Sequence, residues 1–320
     1  MSKPYVLGID IGGTNTVFGI VDARGNVLSS SSIKTQKHSD VKDYIAELHA
    51  EASKLIEVND ATDKIHGIGI GAPNANYFTG IIADSVNLPW EMPVHLAELV
   101  SEKFGLPVTV TNDANAAAIG EMTYGVARGM KDFIMITLGT GVGSGIVVNG
   151  QLVYGHDGFA GELGHVIMKR QNGRLCGCGR TGCLEAYTSA TGVARTAREY
   201  LEIRTEPSLL RDMPIEEITS KDVYDAAIAG DAIAKEVFEY TGNMLGEAFA
   251  DFITFSSPEA VVLFGGLAKS GELLLKPLRE SLEKNTVSIF KGKTKILISS
   301  LKESDAAVLG ASALGWEAKA

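Results

Sequence analysis

Cysteine is scarce in this 320-residue chain: there are three, all between positions 176 and 183. So small and odd a cluster excludes a disulfide framework and points to metal binding in a thiol-preserving compartment. Long apolar runs are missing too. The longest, such as residues 133–138 and 260–264, fall far short of the ~18 residues that cross a bilayer, so no membrane partner is expected. The first ten residues have neither the basic start nor the apolar core of a secretory signal, and a cytoplasmic setting is the expectation. Positive charge is in deficit, with 29 Lys and Arg against 39 Asp and Glu, a net charge of −10. That is the wrong sign for tracking nucleic-acid phosphates. What the chain has in excess is glycine, 36 residues gathered in loops. Its length, at roughly 150 residues per domain, favours two domains.

Residues 5–10 are strand-like, break at Gly12-Gly13-Thr14 and resume at 17–21 before the turn Ala23-Arg24-Gly25-Asn26. This predicts a hairpin with a glycine-rich first bend. The same grammar returns at 133–138, the glycine stretch 139–145, residues 146–148 and the turn Asn149-Gly150. A repeated order of strand, bend, strand and turn predicts two related halves. Between them, Val41, Tyr44, Ile45, Leu48, Ala52, Leu55 and Ile56 recur at helical spacing ahead of a buried-strand run at 65–70. Residues 108–111 read as a further strand leading into Asn112-Asp113 and an alanine-rich helix through Glu121. Asp113 thus stands at the carboxyl end of a strand, where ligands of open α/β sheets gather. Helices are expected at 220–229 and 233–252, a strand at 260–264 and a tight turn at Gly265-Gly266. The stretch 204–219, with Pro207 and Pro214, reads as a surface excursion.

Three motifs carry chemistry. In Asp10-Ile11-Gly12-Gly13-Thr14-Asn15 the glycine bend lets backbone N–H groups approach phosphate oxygens, and the adjacent carboxylate suits a magnesium ion; an ordinary hairpin is the competing reading. Gly139, Thr140, Gly141 and Gly143 offer a second such loop, and two loops across one cleft would clamp a triphosphate. The P-loop pattern is absent, and 139–145 opens no long helix as a dinucleotide fingerprint should. Asp113 is the candidate general base for transfer to a hydroxyl, with helix capping as its alternative. His165 with Cys176, Cys178 and Cys183 can close a tetrahedral structural zinc site, although the tight Cys-x-Cys spacing leaves buried or redox-active thiols open.

Together, Asp-x-Gly-Gly-Thr, Asn-Asp-x-Asn-Ala-Ala-Ala and Gly-Thr-Gly-x-Gly-x-Gly resemble the ROK family of sugar kinases and repressors over nearly the whole chain. The resemblance implies an α/β, actin-like or ribonuclease-H-like pair of domains closing over ATP and a sugar. On that basis residues 1–113, completed by a C-terminal helix at about 303–320, form a smaller first domain, and 114–302 a larger second one bearing the zinc loop. It implies that Asp113 is the base, that His165 and the three cysteines hold zinc, and that Asn112, Glu162, His165 and Glu185 bind sugar hydroxyls, with Asn87 a further contact. Gly265-Gly266 would lie on the adenosine side, packing being the alternative. A hexose kinase is implied, most similar to glucokinase-like members and acting as a homodimer; fructose, mannose or N-acetylated amino sugars are the alternative substrates. The family's repressors carry an N-terminal helix-turn-helix, for which a first strand near Tyr5 leaves no room. One departure is Asn74, where the family usually has glycine after Gly71-Ala72-Pro73; asparagine tolerates left-handed backbone.

Overall fold

Two five-stranded sheets of the same internal order make up the computed structural model, which describes residues 3–85, 87–301 and 303–318. In the first, β1 (Tyr5–Ile11), β2 (Asn15–Asp22) and β3 (Val27–Lys34) form an antiparallel meander. Helix α1 (Val41–Val58) then leads to β4 (Ile65–Gly71), parallel to β1, and α2 (Leu96–Phe104) to β5 (Val108–Thr111), parallel to β4. After α3 (Asp113–Tyr124), the plan repeats with β6 (Phe133–Leu138), β7 (Val142–Val148) and β8 (Gln151–Leu152). Four helices follow: α4 (Glu185–Thr188), α5 (Ala190–Ile203), α6 (Ser220–Ile228) and α7 (Ala232–Ser256). They bring the chain to β9 (Ala260–Phe264), parallel to β6, and α8 (Glu272–Asn285) brings it to β10 (Lys295–Ile298). Helix α9 (Glu303–Gly315) ends the regular structure. The duplication expected from the two glycine bends is therefore a duplication of whole sheets, β3-β2-β1-β4-β5 against β8-β7-β6-β9-β10.

Burial explains the patterning. Strands β4 and β6, interior to their sheets, are buried almost throughout, whereas the edge strand β3 alternates exposed and half-buried positions along Val-Leu-Ser-Ser-Ser-Ser. Phe18, Tyr44, Leu48, Ile68 and Ile70 anchor one core, and Ile136, Leu263, Phe238 and Phe249 the other. Asp40 caps α1 by accepting from the Lys42 N–H, and Gly105 ends α2 in the left-handed conformation, φ 65°. Among the described residues, no helix is long and apolar enough to cross a membrane.

Two readings need correction. Strand β7 begins at Val142, not at residue 146, because Leu138 pairs with Val142 and Thr137 with Gly143; the second glycine bend shrinks to Gly139-Thr140-Gly141. The 204–219 stretch is not a loose excursion, since Leu210 and Ile218 are buried in the second core and the Leu209 N–H donates to Asp231 Oδ2 at 2.6 Å.

Helix α3 lies between the two halves, and small residues set how closely everything meets it. A Cβ on Gly71 of β4 would stand 3.2 Å from the Ala116 Cβ, one on Gly143 of β7 2.8 Å from that of Ala114, and one on Gly145 2.6 Å from that of Ala118. Where α3 crosses α9, a Cβ on Gly120 would stand 2.8 Å from the Gly310 Cα. Helix α9 itself lies on the first sheet, where a Cβ on Gly69 would overlap the Ala311 carbonyl oxygen and come within 2.6 Å of the Gly315 N. Gly69→Ala should accordingly lower stability by about 2–3 kcal/mol, as overpacking against backbone does. Gly177→Ala, which meets open space, should change it by less than about 0.5 kcal/mol. Thermal denaturation of the two variants checks the difference.

Candidate active site

The duplicated topology places both glycine bends at the carboxyl ends of the first strands of their sheets. At the first, the Gly12 N–H donates to the Asn15 carbonyl at 3.0 Å; at the second, the Gly139 N–H donates to the Gly141 carbonyl at 3.1 Å. Asp10 pairs with Gly71 across β1 and β4, and a Cβ on Gly71 would stand 3.5 Å from Asp10 Oδ1 and 3.6 Å from the Asp113 Cα. Lacking that atom, the two aspartates face one space. A cavity of about 200 Å³ opens there, lined by Asp10, Asp113, Glu121, Met135 and Thr137 among others, with no Lys or Arg among its described lining residues.

The electrostatics follow from that crowding. Burial, and secondarily the Asp113 charge, pushes the Asp10 carboxyl up to about 7. Burial also raises the Asp113 carboxyl. The residue itself is exposed to solvent. A carboxylate held above its ordinary pKa is a better proton acceptor, the property required of a general base. The first turn of α3 is capped from two side chains. Asn112 is the N-cap, its Oδ1 accepting the Ala114 N–H at 2.8 Å, while Asp113 is the first helical residue, with Oδ1 2.7 Å from the same N–H.

At the far end of the cleft, Glu162, His165 and Glu185 come together. The Glu162 carboxyl is raised by burial first, and the charges of His165, Asp113 and Glu185 also act on it. His165 Nε2 lies 4.0 Å from Glu162 Oε2. Glu185 heads α4 and reaches the second glycine bend: its Oε2 accepts the Val142 N–H at 2.8 Å, and a Cβ on Gly141 would meet that oxygen at 2.5 Å. Its Oε1 accepts from the Cys176 thiol at 3.4 Å, so one carboxylate touches both the glycine bend and the cysteine cluster.

The four cluster residues bring their ligand atoms within 4.8 Å of one another. Cys176 Sγ lies 3.7 Å from His165 Nδ1, and Cys178 Sγ 3.7 Å from Cys183 Sγ. Thiolates around a tetrahedral zinc ion stand roughly 3.8 Å apart, so these side chains are pre-arranged for one. Arg174 pins the loop independently of any metal. Its guanidinium pairs with Glu199 Oε2 at 2.5 Å and lies over the Tyr187 ring at 4.6 Å, while its backbone N–H donates to the Tyr187 hydroxyl at 2.8 Å.

The remaining expected positions divide. Asn87 sits beside the first bend, its carbonyl 3.1 Å from where a Gly13 Cβ would be. Gln36 Nε2 clips the two segments together, donating to the Gly13 carbonyl at 2.5 Å and to the Asn87 carbonyl at 3.1 Å. Thr14 and Asn15 are exposed; the Thr14 carbonyl accepts the Thr35 N–H and Asn15 Oδ1 accepts from Lys34. Gly143 departs from the expectation of a phosphate-loop residue: it lies inside β7, where its missing side chain admits α3. Gly265 takes φ 102° against the Leu138 carbonyl, and Gly266 lines a cavity of about 460 Å³ together with Gly139 and Thr140. Lys221, Tyr224 and Lys269 line it too. Nothing in their local sequence marked them, because α6 and the turn after β9 meet there only in the fold. Asn74 does adopt the left-handed backbone, φ 53°, that its place in a usually glycine-bearing turn required.

Known proteins resemble this chain over nearly its full length. Residues 6–318 match the model of the ROK family. A glucokinase from Halalkalibacterium halodurans is 38% identical, the match covering all of this chain and 96% of that protein. The crystal structure of a ROK family glucokinase from Streptomyces griseus in complex with glucose and AMPPNP superimposes with a TM-score of 0.81 at 32% identity, over 98% of this chain and 99% of that one. A ROK family transcriptional regulator, a homologue of the E. coli MLC protein, superimposes with a TM-score of 0.84 at 27% identity, over 97% of this chain and 78% of that one. With a family match over nearly its full length and a sugar-kinase relative aligned end to end, the chain belongs to the ROK family.

Proposed function

We propose that this chain is a hexokinase-type sugar kinase that phosphorylates glucose at its 6-hydroxyl with ATP. The observation that carries the reading is the cleft that Asp10 and Asp113 face, flanked by two glycine bends, with Glu162 beside His165 and Glu185 bonded to the second bend. The glucokinase relatives, and the glucose and AMPPNP bound in the Streptomyces griseus structure, support the same substrates. In this account a first unit, residues 1–113 with α9, and a second, 114–302, close over the substrates and exclude water that would otherwise attack ATP.

Glu162, His165 and Glu185 accept from or donate to sugar hydroxyls and fix the ring, with Asn112 and Asn87 further contacts. Asp113 takes the 6-hydroxyl proton as that oxygen attacks the γ-phosphorus; the bond from phosphorus to the β–γ bridging oxygen breaks, and ADP departs. The Gly12 and Gly139 N–H groups close their own bends, so the backbone N–H groups of Gly13 and Gly141 hold the triphosphate, and the cavity by Gly266 takes the adenosine, with Lys221, Tyr224 and Lys269 on its wall. Asp10, crowded by a second carboxylate in a cavity whose described lining offers no basic side chain, would hold magnesium, which when bound neutralises phosphate charge. His165, Cys176, Cys178 and Cys183 would hold a structural zinc that stiffens the loop bearing Glu162 and Glu185. The reading includes a cytoplasmic setting and a homodimer.

Three measurements test it. Asp113→Asn keeps size and removes basicity, so turnover should fall on the order of 10²-fold or more with little change in melting temperature. A folded variant with near-normal turnover rejects the base assignment. Elemental analysis should find one zinc per chain, and chelation should weaken glucose binding before ATP binding; active protein without zinc rejects the metal site. Across a hexose panel, deoxy sugars should lose about tenfold or more in kcat/KM per missing hydroxyl contact. Glucose should exceed N-acetylglucosamine by at least about tenfold. A preference for an N-acetylated sugar overturns the glucose assignment and leaves the kinase.

A further inference from the structure

The segment that delivers Glu162, residues 153–162, is held from both halves of the molecule. On its own side, Ser144 Oγ donates to the Gly161 carbonyl and accepts the Leu163 N–H at 3.0 Å. The Ala160 N–H donates to the Tyr154 carbonyl at 3.0 Å and folds the intervening residues into a turn. On the other side stands Asn76, in the loop after β4 and only 4% exposed. Its Oδ1 accepts the Phe78 and Thr79 N–H groups at 3.0 and 3.1 Å, which organises its own loop. That leaves the Nδ2 donor, and it crosses to the second half, reaching the Asp157 carbonyl at 2.6 Å.

Two neighbours show that this crossing is built. Gly158 has φ 88°, and a Cβ there would stand 2.5 Å from Asn76 Nδ2, so both the backbone conformation and the approach call for glycine. Tyr154 stacks on Tyr77 with ring centroids 4.0 Å apart and planes 12° from parallel. Thr111, next to Asn112-Asp113, is buried with its Oγ1 unpaired. Stacking of this kind gives the two loops a fixed separation, while the Asn76 amide fixes their register. The loop that Asn76 anchors leaves β4 at Gly71, the residue that faces Asp10 and Asp113, so it begins at the cleft floor.

We propose that Asn76 is a positioning residue whose amide ties the 153–162 segment to the first half and so sets where Glu162 meets the hexose. The proposal rests on the reading of Glu162 as a hexose contact. Asn76 touches neither substrate in this arrangement; it acts through the Asp157 carbonyl, five residues before Glu162.

The test is a double-variant cycle on the full chain with glucose and ATP as probes. Asn76→Asp keeps an acceptor for Phe78 and Thr79 and removes the donor to Asp157. It should raise the glucose KM about tenfold while the ATP KM stays within about twofold, with the melting temperature lowered by the buried carboxylate but the protein folded at the assay temperature. Glu162→Gln should raise the glucose KM as well, and the double variant should go little beyond the larger single effect, because both act through one contact. An unchanged glucose KM in Asn76→Asp overturns the proposal, as does an equal rise in both KM values. Full additivity in the cycle also overturns it. If Glu162→Gln leaves the glucose KM untouched, the reading of Glu162 falls and the proposal with it; if only Asn76→Asp is inert, the proposal alone falls. Should Asn76→Asp fail to fold, Gly158→Ala, which pushes on the same amide, carries the test with the same expected selective rise, and an unchanged glucose KM there overturns the proposal.

Discussion

The close approach of α3 to everything around it is the constraint on which the site depends. The helix is buried nearly all round, which is why its sequence, Asp-Ala-Asn-Ala-Ala-Ala-Ile-Gly-Glu, shows almost no amphipathic face. Gly71 meets it from the first sheet, Gly143 and Gly145 from the second, and Gly310 from α9. Because each contact is backbone or methyl, there is little side-chain slack to absorb a shift. The first residue of that helix is Asp113, so its carboxyl group is fixed at once relative to Asp10 on one sheet and the Gly139–Gly141 bend on the other. A carboxylate on a flexible loop would have to be ordered anew for each substrate; the packing here has already ordered the one proposed as the base.

That arrangement concentrates negative charge. Asp10, Asp113, Glu162 and Glu185 share one cleft, and the first three are held above ordinary carboxylate behaviour, chiefly by burial. Such a site is uncomfortable when empty. In the proposed function, sugar hydroxyls would relieve it at one end by donating hydrogen bonds, and a divalent cation would do so at the other. The α3 N-terminus contributes its own positive end at Asp113. A family that includes regulators of the same fold shows that the scaffold alone does not decide activity, and the chemistry has to be argued from these side chains.

Much of this was legible in the sequence where chemistry depends on local spacing. The glycine bends, the Asn-Asp pair at a strand end and the histidine with three cysteines could all be found by reading along the chain, and the structure gathers them at two ends of one cleft. What misled was local reasoning about glycine. Gly143 and Gly145 look like loop residues, yet they lie in β7 and are small because α3 passes over them. Likewise Leu210 and Ile218 are buried by a second core that the prolines around them gave no sign of.

By itself the sequence determined the repeated strand and bend grammar, the identity of the titratable groups and the membership of the histidine and cysteine cluster, since each is carried by residues near in the chain. Tertiary structure alone decided which groups meet. Gln36 clips Gly13 to Asn87, Glu185 bridges the second bend and the cysteine loop, Lys221 and Tyr224 face Gly266, and Asn76 reaches Asp157 from 81 positions away. Periodicity reports the face a residue presents to its own element's surroundings. It says nothing about which distant backbone carbonyl will lie within hydrogen-bond reach of a given amide, because that is fixed only when both sheets have packed against α3.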